Sequence, residues 1–185
     1  MFTGIVQAVG KILRTNPLEI DCAGLDLADV TVGDSICVQG VCLTVTATRP
    51  RGFTADVSQE TLRVTTGLDR PGAVNLEKSL ALGGKLGGHL VTGHVDGVGE
   101  VVKFSNGFLQ VRVPEALARY VARKGSICVD GVSLTVNRAE GDSFEVNLIP
   151  HTLEVTTLSR LAPGVRVNLE VDLIARYVER MLAAR

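Results

Sequence analysis

Hydrophobic and polar residues alternate along most of this chain in short runs, cut at close intervals by Gly, Pro and Asn. In Val41–Thr46, Val41, Leu43 and Val45 fall on one face of an extended segment and Cys42, Thr44 and Thr46 on the other. Such runs predict strands at Ile5–Leu13, Leu18–Cys22, Ser35–Gln39, Val41–Thr48, Gly52–Val57 and Ala73–Lys78. The second half returns the same series and adds a helix over Pro114–Ala122, which starts on Pro and stops at Lys124-Gly125. Six short strands in each half favour closure into a Greek-key barrel, because closure leaves no sheet edge unpaired. Only the tail changes period. After Asp172, a candidate N-cap, Ile174, Tyr177, Val178, Met181 and Leu182 recur at helical spacing and predict one amphipathic helix.

The two halves are copies. Ser35–Thr46 (SICVQGVCLTVT) matches Ser126–Asn137 (SICVDGVSLTVN) at nine of twelve positions, and Glu60–Thr66 matches His151–Thr157 at five of seven. Each copy then has a Pro-Gly turn and the tetrapeptide VNLE, and Met1–Ile12 aligns with Leu90–Val101. Blocks in one order predict an all-β chain of two tandem six-stranded Greek-key barrels from an internal duplication, plus the C-terminal amphipathic α-helix. The expected domains are 1–89, 90–170 and a tail of 171–185. The tail's apolar stripe must be covered by the barrels or by the same helix of neighbouring subunits, which would make it an oligomerisation device.

Composition narrows the function. A formal net charge of −1 lacks the basic excess that nucleic acid or an anionic membrane surface requires. No run approaches a membrane span, and the N-terminal MFTGIVQ has neither a basic region nor an apolar core of signal-peptide length, so a cytoplasmic protein is expected. Cys37 and Cys128 occupy one place in the two copies, as a repeated small buried side chain does, and reduced thiols are expected throughout. Gly83-Gly84 and Gly87-Gly88 lack the strand and helix context of a phosphate loop and suit a bend between domains.

The framework is copied, but the titratable groups are not. Cys42 becomes Ser133, Thr46 becomes Asn137, Gln39 becomes Asp130, Ile5 becomes His94 and Glu60 becomes His151, while His89 stands just before the second copy. Each exchange also has a plain explanation. Cys42 serves as a small hydrophobe, Asp130-Gly131 as a type I′ hairpin turn, and His94 as a packed histidine. His89 and His94 stand five apart with no third ligand at zinc spacing, so no metal site is expected.

MFTGIV, GVCLTV (Gly40–Val45), GGHLVTGHVDG (Gly87–Gly97), KGSICVDGVSLTV (Lys124–Val136) and the closing VNLE-VD-IARYVERML together resemble the riboflavin synthase alpha chain family across essentially the whole chain. The resemblance implies two lumazine-binding barrels and a homotrimer held by the C-terminal helices. It implies dismutation of two molecules of 6,7-dimethyl-8-ribityllumazine, without cofactor or metal, to riboflavin and 5-amino-6-ribitylaminouracil. The active site is then formed between the N-terminal barrel of one subunit and the C-terminal barrel of another. A duplicated fold suits two identical substrates, and unequal copies suit their opposite roles.

By the same resemblance, His94, Ser133, Asp130 and Thr135 match the catalytic cluster, His89 its neighbour, and Cys42 the N-terminal thiol. His94 suits proton transfer, Ser133 suits holding an anionic methylene or activating water, and Cys42 suits addition to an electrophilic ring carbon. Substrate contacts carry over in the first barrel to Gly4, Ile5, Val6, Cys42, Leu43, Thr44, Asp56, Val57, Ser58, Gln59, Glu60 and Thr61. In the second they carry over to Gly93, His94, Val95, Lys124, Val132, Ser133, Leu134, Asn147, Leu148, Ile149, Pro150, His151 and Thr152. The rival is a non-catalytic lumazine- or flavin-binding protein of the same fold, which loses the histidine that LVTGHVDG retains as His94. Docking on a lumazine synthase capsid is left open.

Overall fold

The computed structural model of the chain describes residues 1–183. In the first half, β1 (Ala8–Thr15), β2 (Leu18–Asp21), β3 (Ser35–Val38), β4 (Val41–Arg49), β5 (Gly52–Ala55) and β6 (Gly72–Lys78) close into an antiparallel barrel in the order β1-β2-β5-β4-β3-β6. The second half repeats it with β7 (Gly97–Ser105), β8 (Phe108–Arg112), β9 (Ser126–Val129), β10 (Val132–Glu140), β11 (Ser143–Asn147) and β12 (Arg166–Val171). Pairing of β2 with β5, past β3 and β4, is the Greek-key crossover. Alternation puts Ile12, Ile20, Ile36, Val38, Phe53 and Leu76 inside the first barrel and Val101, Leu109, Ile127, Val129, Phe144 and Leu169 inside the second.

Short helices close the ends of the barrels. These are α1 (Gln59–Val64), α2 (Glu115–Ala118) and α3 (Pro150–Val155), while α4 (Leu173–Ala183) forms the tail. The helix expected over Pro114–Ala122 is regular only in α2. Beyond it, Tyr120 N and Val121 N bond to Leu117 O and Ala118 O, three residues back. Leu117, Ala118, Tyr120 and Val121 pack on the second core, and the tighter turns keep all four there.

The barrels join by exchanging their N-terminal segments. Phe2 N donates to Val91 O at 2.7 Å and Val91 N to Phe2 O at 3.1 Å. Val6 consequently packs against the second core and Val95 against the first. The first strand was therefore expected too early, at Ile5 rather than Ala8. Thr3 N and Thr3 Oγ1 donate to Glu77 Oε1 at 2.7 and 2.6 Å, and Gly4 N donates to Glu77 Oε2 at 2.9 Å. Those donors are thereby held out of a strand ladder. Glu170 does the same in the second copy, accepting from Thr92 N, Thr92 Oγ1, Gly93 N and His94 N at 2.6–3.0 Å.

Two hairpin turns meet at the seam. Gln39-Gly40 and Asp130-Gly131 have φ of 51°, 86°, 50° and 82°, the left-handed pair of a type I′ turn. A Cβ on Gly40 would lie 2.8 Å from Gly131 N, so the turns stack only as glycines. Asn75 Nδ2 reaches Asp130 O at 2.8 Å and Asn168 Nδ2 reaches Gln39 O at 2.9 Å, so the seam's buried polar groups pair across it.

Candidate functional site

The outward faces of β4 and β10 carry the candidate chemistry, and the segment exchange decides what stands beside each. Ser133 N donates to Gly4 O at 2.8 Å, and Cys42 N donates to Gly93 O at 2.8 Å. Both glycines are left-handed, at φ 74° and 76°. A Cβ would fall 2.6 Å from Ser133 Cβ in one case and 2.7 Å from Cys42 Cβ in the other. Any other residue would push the strand away. Ile5 follows Gly4 beside Ser133, and His94 follows Gly93 beside Cys42. The copies thus contribute across each other.

This regroups the expected contacts. Gly4, Ile5 and Val6 stand with Val132, Ser133 and Leu134; Gly93, His94 and Val95 stand with Cys42, Leu43 and Thr44. A grouping of contacts by copy is corrected by the Phe2–Val91 bridge, which carries each N-terminal segment onto the other barrel. The expected cluster of His94 with Ser133 is likewise divided within one chain. The later segments remain with their own barrels. Val45 pairs with Ala55 and Val136 with Val146, so antiparallel register carries Val57 towards Leu43 and Leu148 towards Leu134.

Ser133 has a histidine partner. His89 Nδ1 lies 2.7 Å from Ser133 Oγ. The imidazole is 9% exposed, its main-chain N–H donates to Thr3 O at 3.1 Å, and its Nε2 is buried with no partner among the described residues. Burial pushes its pKa below 6.5, against the opposing pull of Asp172 and Glu170. A neutral imidazole against a hydroxyl takes the hydroxyl proton in the tautomer that leaves Nδ1 bare. Among the described residues no histidine bonds to the Cys42 thiol as His89 does to Ser133.

The other candidates occupy several environments. His94 and Thr135 are exposed, and Thr135 follows Ser133 on the outward face. Lys124 is exposed in a left-handed turn, its N–H donating to Val136 O at 2.8 Å. Leu43, Val132, Leu134 and Leu148 point into the cores. Asp56, Gln59, Glu60, Asn147, Ile149, Pro150 and His151 are exposed, and Val57, Thr61 and Thr152 half-buried. Ser58 caps α1 through Thr61 N at 3.0 Å, and Pro150 opens α3. A cleft of about 690 Å³ between Cys22–Ala28 and Thr48–Arg51 contains none of these residues. A smaller one of about 400 Å³ is lined by Ile5.

Asp130 stands apart from the Ser133–His89 pair. It is buried at the seam, where Oδ1 accepts from Asn168 N at 2.8 Å, as Gln39 Oε1 accepts from Asn75 N at 2.9 Å. Burial pushes its carboxyl up to about 7, opposed by hydrogen bonds from Asn168 and Gln39. The folded protein therefore holds this proton more tightly than the unfolded chain. The associated stability is full in acid and is lost as pH rises through about 7. From about pH 6 to about pH 8.5, wild-type protein is expected to lose about 4 °C more in melting temperature than Asp130→Asn. The variant keeps the acceptor oxygen without the charge. Equal losses in both proteins would refute this assignment.

All four cysteines are free, and burial pushes Cys22 up to about 12 and Cys37 and Cys128 well above the usual thiol range. Among the described residues no three His, Cys, Asp or Glu side chains gather to hold a metal, and no helix is long and apolar enough to cross a membrane.

The residues that hold these groups were not picked out from the sequence. Glu77 and Glu170 end the repeated VNLE, a visible signal whose purpose appears only with the exchange. Asp96 and Arg176 form an ion pair at 2.7 Å beside His94.

Comparison with known proteins agrees with this arrangement. The lumazine binding domain family matches residues 3–79 and again 92–172. The riboflavin synthase of Mycobacterium bovis is 50% identical over 198 residues, covering 98% of both chains. That of Photobacterium phosphoreum is 44% identical, covering 98% of this chain and 89% of its own. The crystal structure of LumP complexed with 6,7-dimethyl-8-(1′-D-ribityl) lumazine superposes with a TM-score of 0.78 at 25% identity, covering 92% of this chain and 99% of its own.

Proposed function

The chain belongs to the riboflavin synthase family, and from that premise we infer how its residues carry the family's reaction. The activity is riboflavin synthase activity. Two molecules of 6,7-dimethyl-8-ribityllumazine dismutate by four-carbon transfer to riboflavin and 5-amino-6-ribitylaminouracil. The observation that carries the assignment is a match of 50% identity across 98% of the chain.

We propose that the two groups described above are half-sites, each holding one lumazine. Gly4, Ile5 and Ser133 with Asn147–Thr152 form one; Gly93, His94 and Cys42 with Asp56–Thr61 form the other. A C7-methyl proton leaves one lumazine, the resulting carbanion attacks the second, and the pentacyclic adduct fragments. The Ser133–His89 pair suits the first proton transfer because a buried neutral imidazole accepts a proton near pH 7. Cys42 suits addition to the electrophilic ring carbon, with the exposed imidazole of His94 moving protons beside it. Thr44, Thr135 and Lys124 are assigned to the ribityl chain and pyrimidine edge.

A single chain divides the half-sites, so two lumazines meet when half-sites of different subunits face each other. The uncovered stripe of α4 supports a homotrimer as the assembly, and four free thiols support a cytoplasmic setting.

Purified protein incubated with 6,7-dimethyl-8-ribityllumazine is expected to form about one riboflavin for every two lumazines consumed, followed by absorbance. Tight binding without riboflavin would make the chain a ligand carrier, the reading that the likeness to LumP favours.

A further inference from the structure

The duplication offers an internal control for the surroundings of His94. Asp96 is the counterpart of Gln7, and each makes the same main-chain contact. Gln7 Oε1 accepts from Lys78 N at 2.9 Å, and Asp96 Oδ2 accepts from Val171 N at 2.8 Å. A neutral amide thus suffices for that contact. The carboxylate in the second copy adds a charge, and the charge is used. Arg176 of α4 grips Asp96 with both terminal nitrogens at 2.7 Å, and its Nη2 also donates to His94 O at 3.2 Å. Asp96 is only 11% exposed, so the pair is partly withdrawn from solvent, where a two-pronged grip holds best. His94 is consequently fixed at both main-chain polar groups: its N–H by Glu170 at 3.0 Å, its C=O by Arg176. Among the described residues Ile5, its counterpart, has no such arginine, and no helix like α4 follows the first copy.

We propose that Arg176 is a positioning residue that fastens the His94 segment to α4, so that the helix bearing the uncovered apolar stripe also sets the direction of the His94 imidazole. The proposal rests on His94 taking part in the reaction. Ile174, Tyr177, Val178, Met181 and Leu182 are 44–66% exposed, while Arg176 on the same helix reaches back to Asp96 and His94 of the second barrel. One short helix therefore carries an outward face for another subunit and an inward fastening to the site. Docking of the outward face rigidifies the inward one. Backbone shifts of about 1 Å at a reacting group cost up to about 100-fold in rate.

The test compares Arg176→Ala, Arg176→Lys and Glu179→Gln in the full chain. Glu179 ties the same helix to Arg119 and Tyr120, away from His94, and controls for simple loosening of α4. Arg176→Ala is expected to lower kcat about 10- to 100-fold with KM changed by no more than about threefold and the sedimentation coefficient unchanged. In protein labelled at histidine, the ring resonances of His94 are expected to move while those of His89 and His151 stay. Arg176→Lys keeps the charge but not the fork and should recover part of the rate, and Glu179→Gln should keep nearly all of it. Wild-type turnover and unmoved His94 resonances in Arg176→Ala would overturn the proposal. Equal loss of rate and assembly in Arg176→Ala and Glu179→Gln would overturn it too. If wild-type protein makes no riboflavin, the enzymatic assignment fails, and the resonances still decide whether Arg176 positions His94.

Discussion

Ser133→Ala is expected to bind 6,7-dimethyl-8-ribityllumazine about as well as the wild type and to form riboflavin about 100-fold more slowly. The substitution is a clean one. The bond from Ser133 N to Gly4 O is main chain and survives, and alanine fits the space above Gly4. What disappears is the hydroxyl 2.7 Å from His89 Nδ1. His89→Gln removes the other half of the pair and should cost a similar factor. The double variant should be little worse than either, because two groups that move one proton fail as a unit. The pH profile supplies a second reading. Burial holds the pKa of His89 below 6.5, so the neutral form persists through neutral pH. Activity due to this pair should hold through neutral pH and fall only in solution more acid than an ordinary imidazole requires. Multiplicative losses in the double variant, or unchanged turnover in Ser133→Ala, would show that the pair is not the proton carrier.

Much of this architecture is legible in the chain because it depends on local alternation. Val41, Leu43 and Val45 face inward and Cys42, Thr44 and Thr46 outward as strand parity requires, and the Asp130-Gly131 dipeptide forms the turn its residue types favour. What parity cannot reveal is long-range partnership. The donors of Thr3 and Gly4 go to Glu77, more than seventy residues on, and Ser133 binds a histidine that precedes the second copy. Thr3–Val6 carries the residue pattern of a strand but spends its hydrogen bonds elsewhere. The helices α1 and α3 are too short for an apolar period, although Ser58 as a cap and Pro150 at a first helical position announce them. Asp130 is the instructive case. Its departure from Gln39 was read as chemistry, yet both side chains do the same task at the seam. At Asp96 the contact is also kept, and there the added charge is used by a third element, Arg176.

Tyr177→Lys combined with Met181→Lys is expected to leave both barrels folded and to abolish turnover by dissolving the assembly. Ile174, Tyr177, Val178, Met181 and Leu182 are 66, 64, 44, 65 and 63% exposed, a stripe no part of the described chain covers. Covering each would return about 1–2 kcal/mol, some 5–10 kcal/mol per helix, against an association cost of about 4–15 kcal/mol. The balance is close enough that two buried ammonium groups should reverse it. The variant should sediment as a monomer with the wild-type circular dichroism spectrum and still bind lumazine, since each half-site is built within one chain. Its turnover should nevertheless fall by at least about 1000-fold, because the methyl proton, the thiol and the two substrates no longer meet. Complementation separates this from a subtler defect in folding. Ser133→Ala chains retain Cys42 and Cys42→Ala chains retain Ser133, so co-refolded mixtures recover some interfaces with both groups intact. Such mixtures should regain a sizeable fraction of wild-type activity, whereas the double lysine variant should regain none with any partner. A monomer that still makes riboflavin at the wild-type rate would place the whole reaction within one chain.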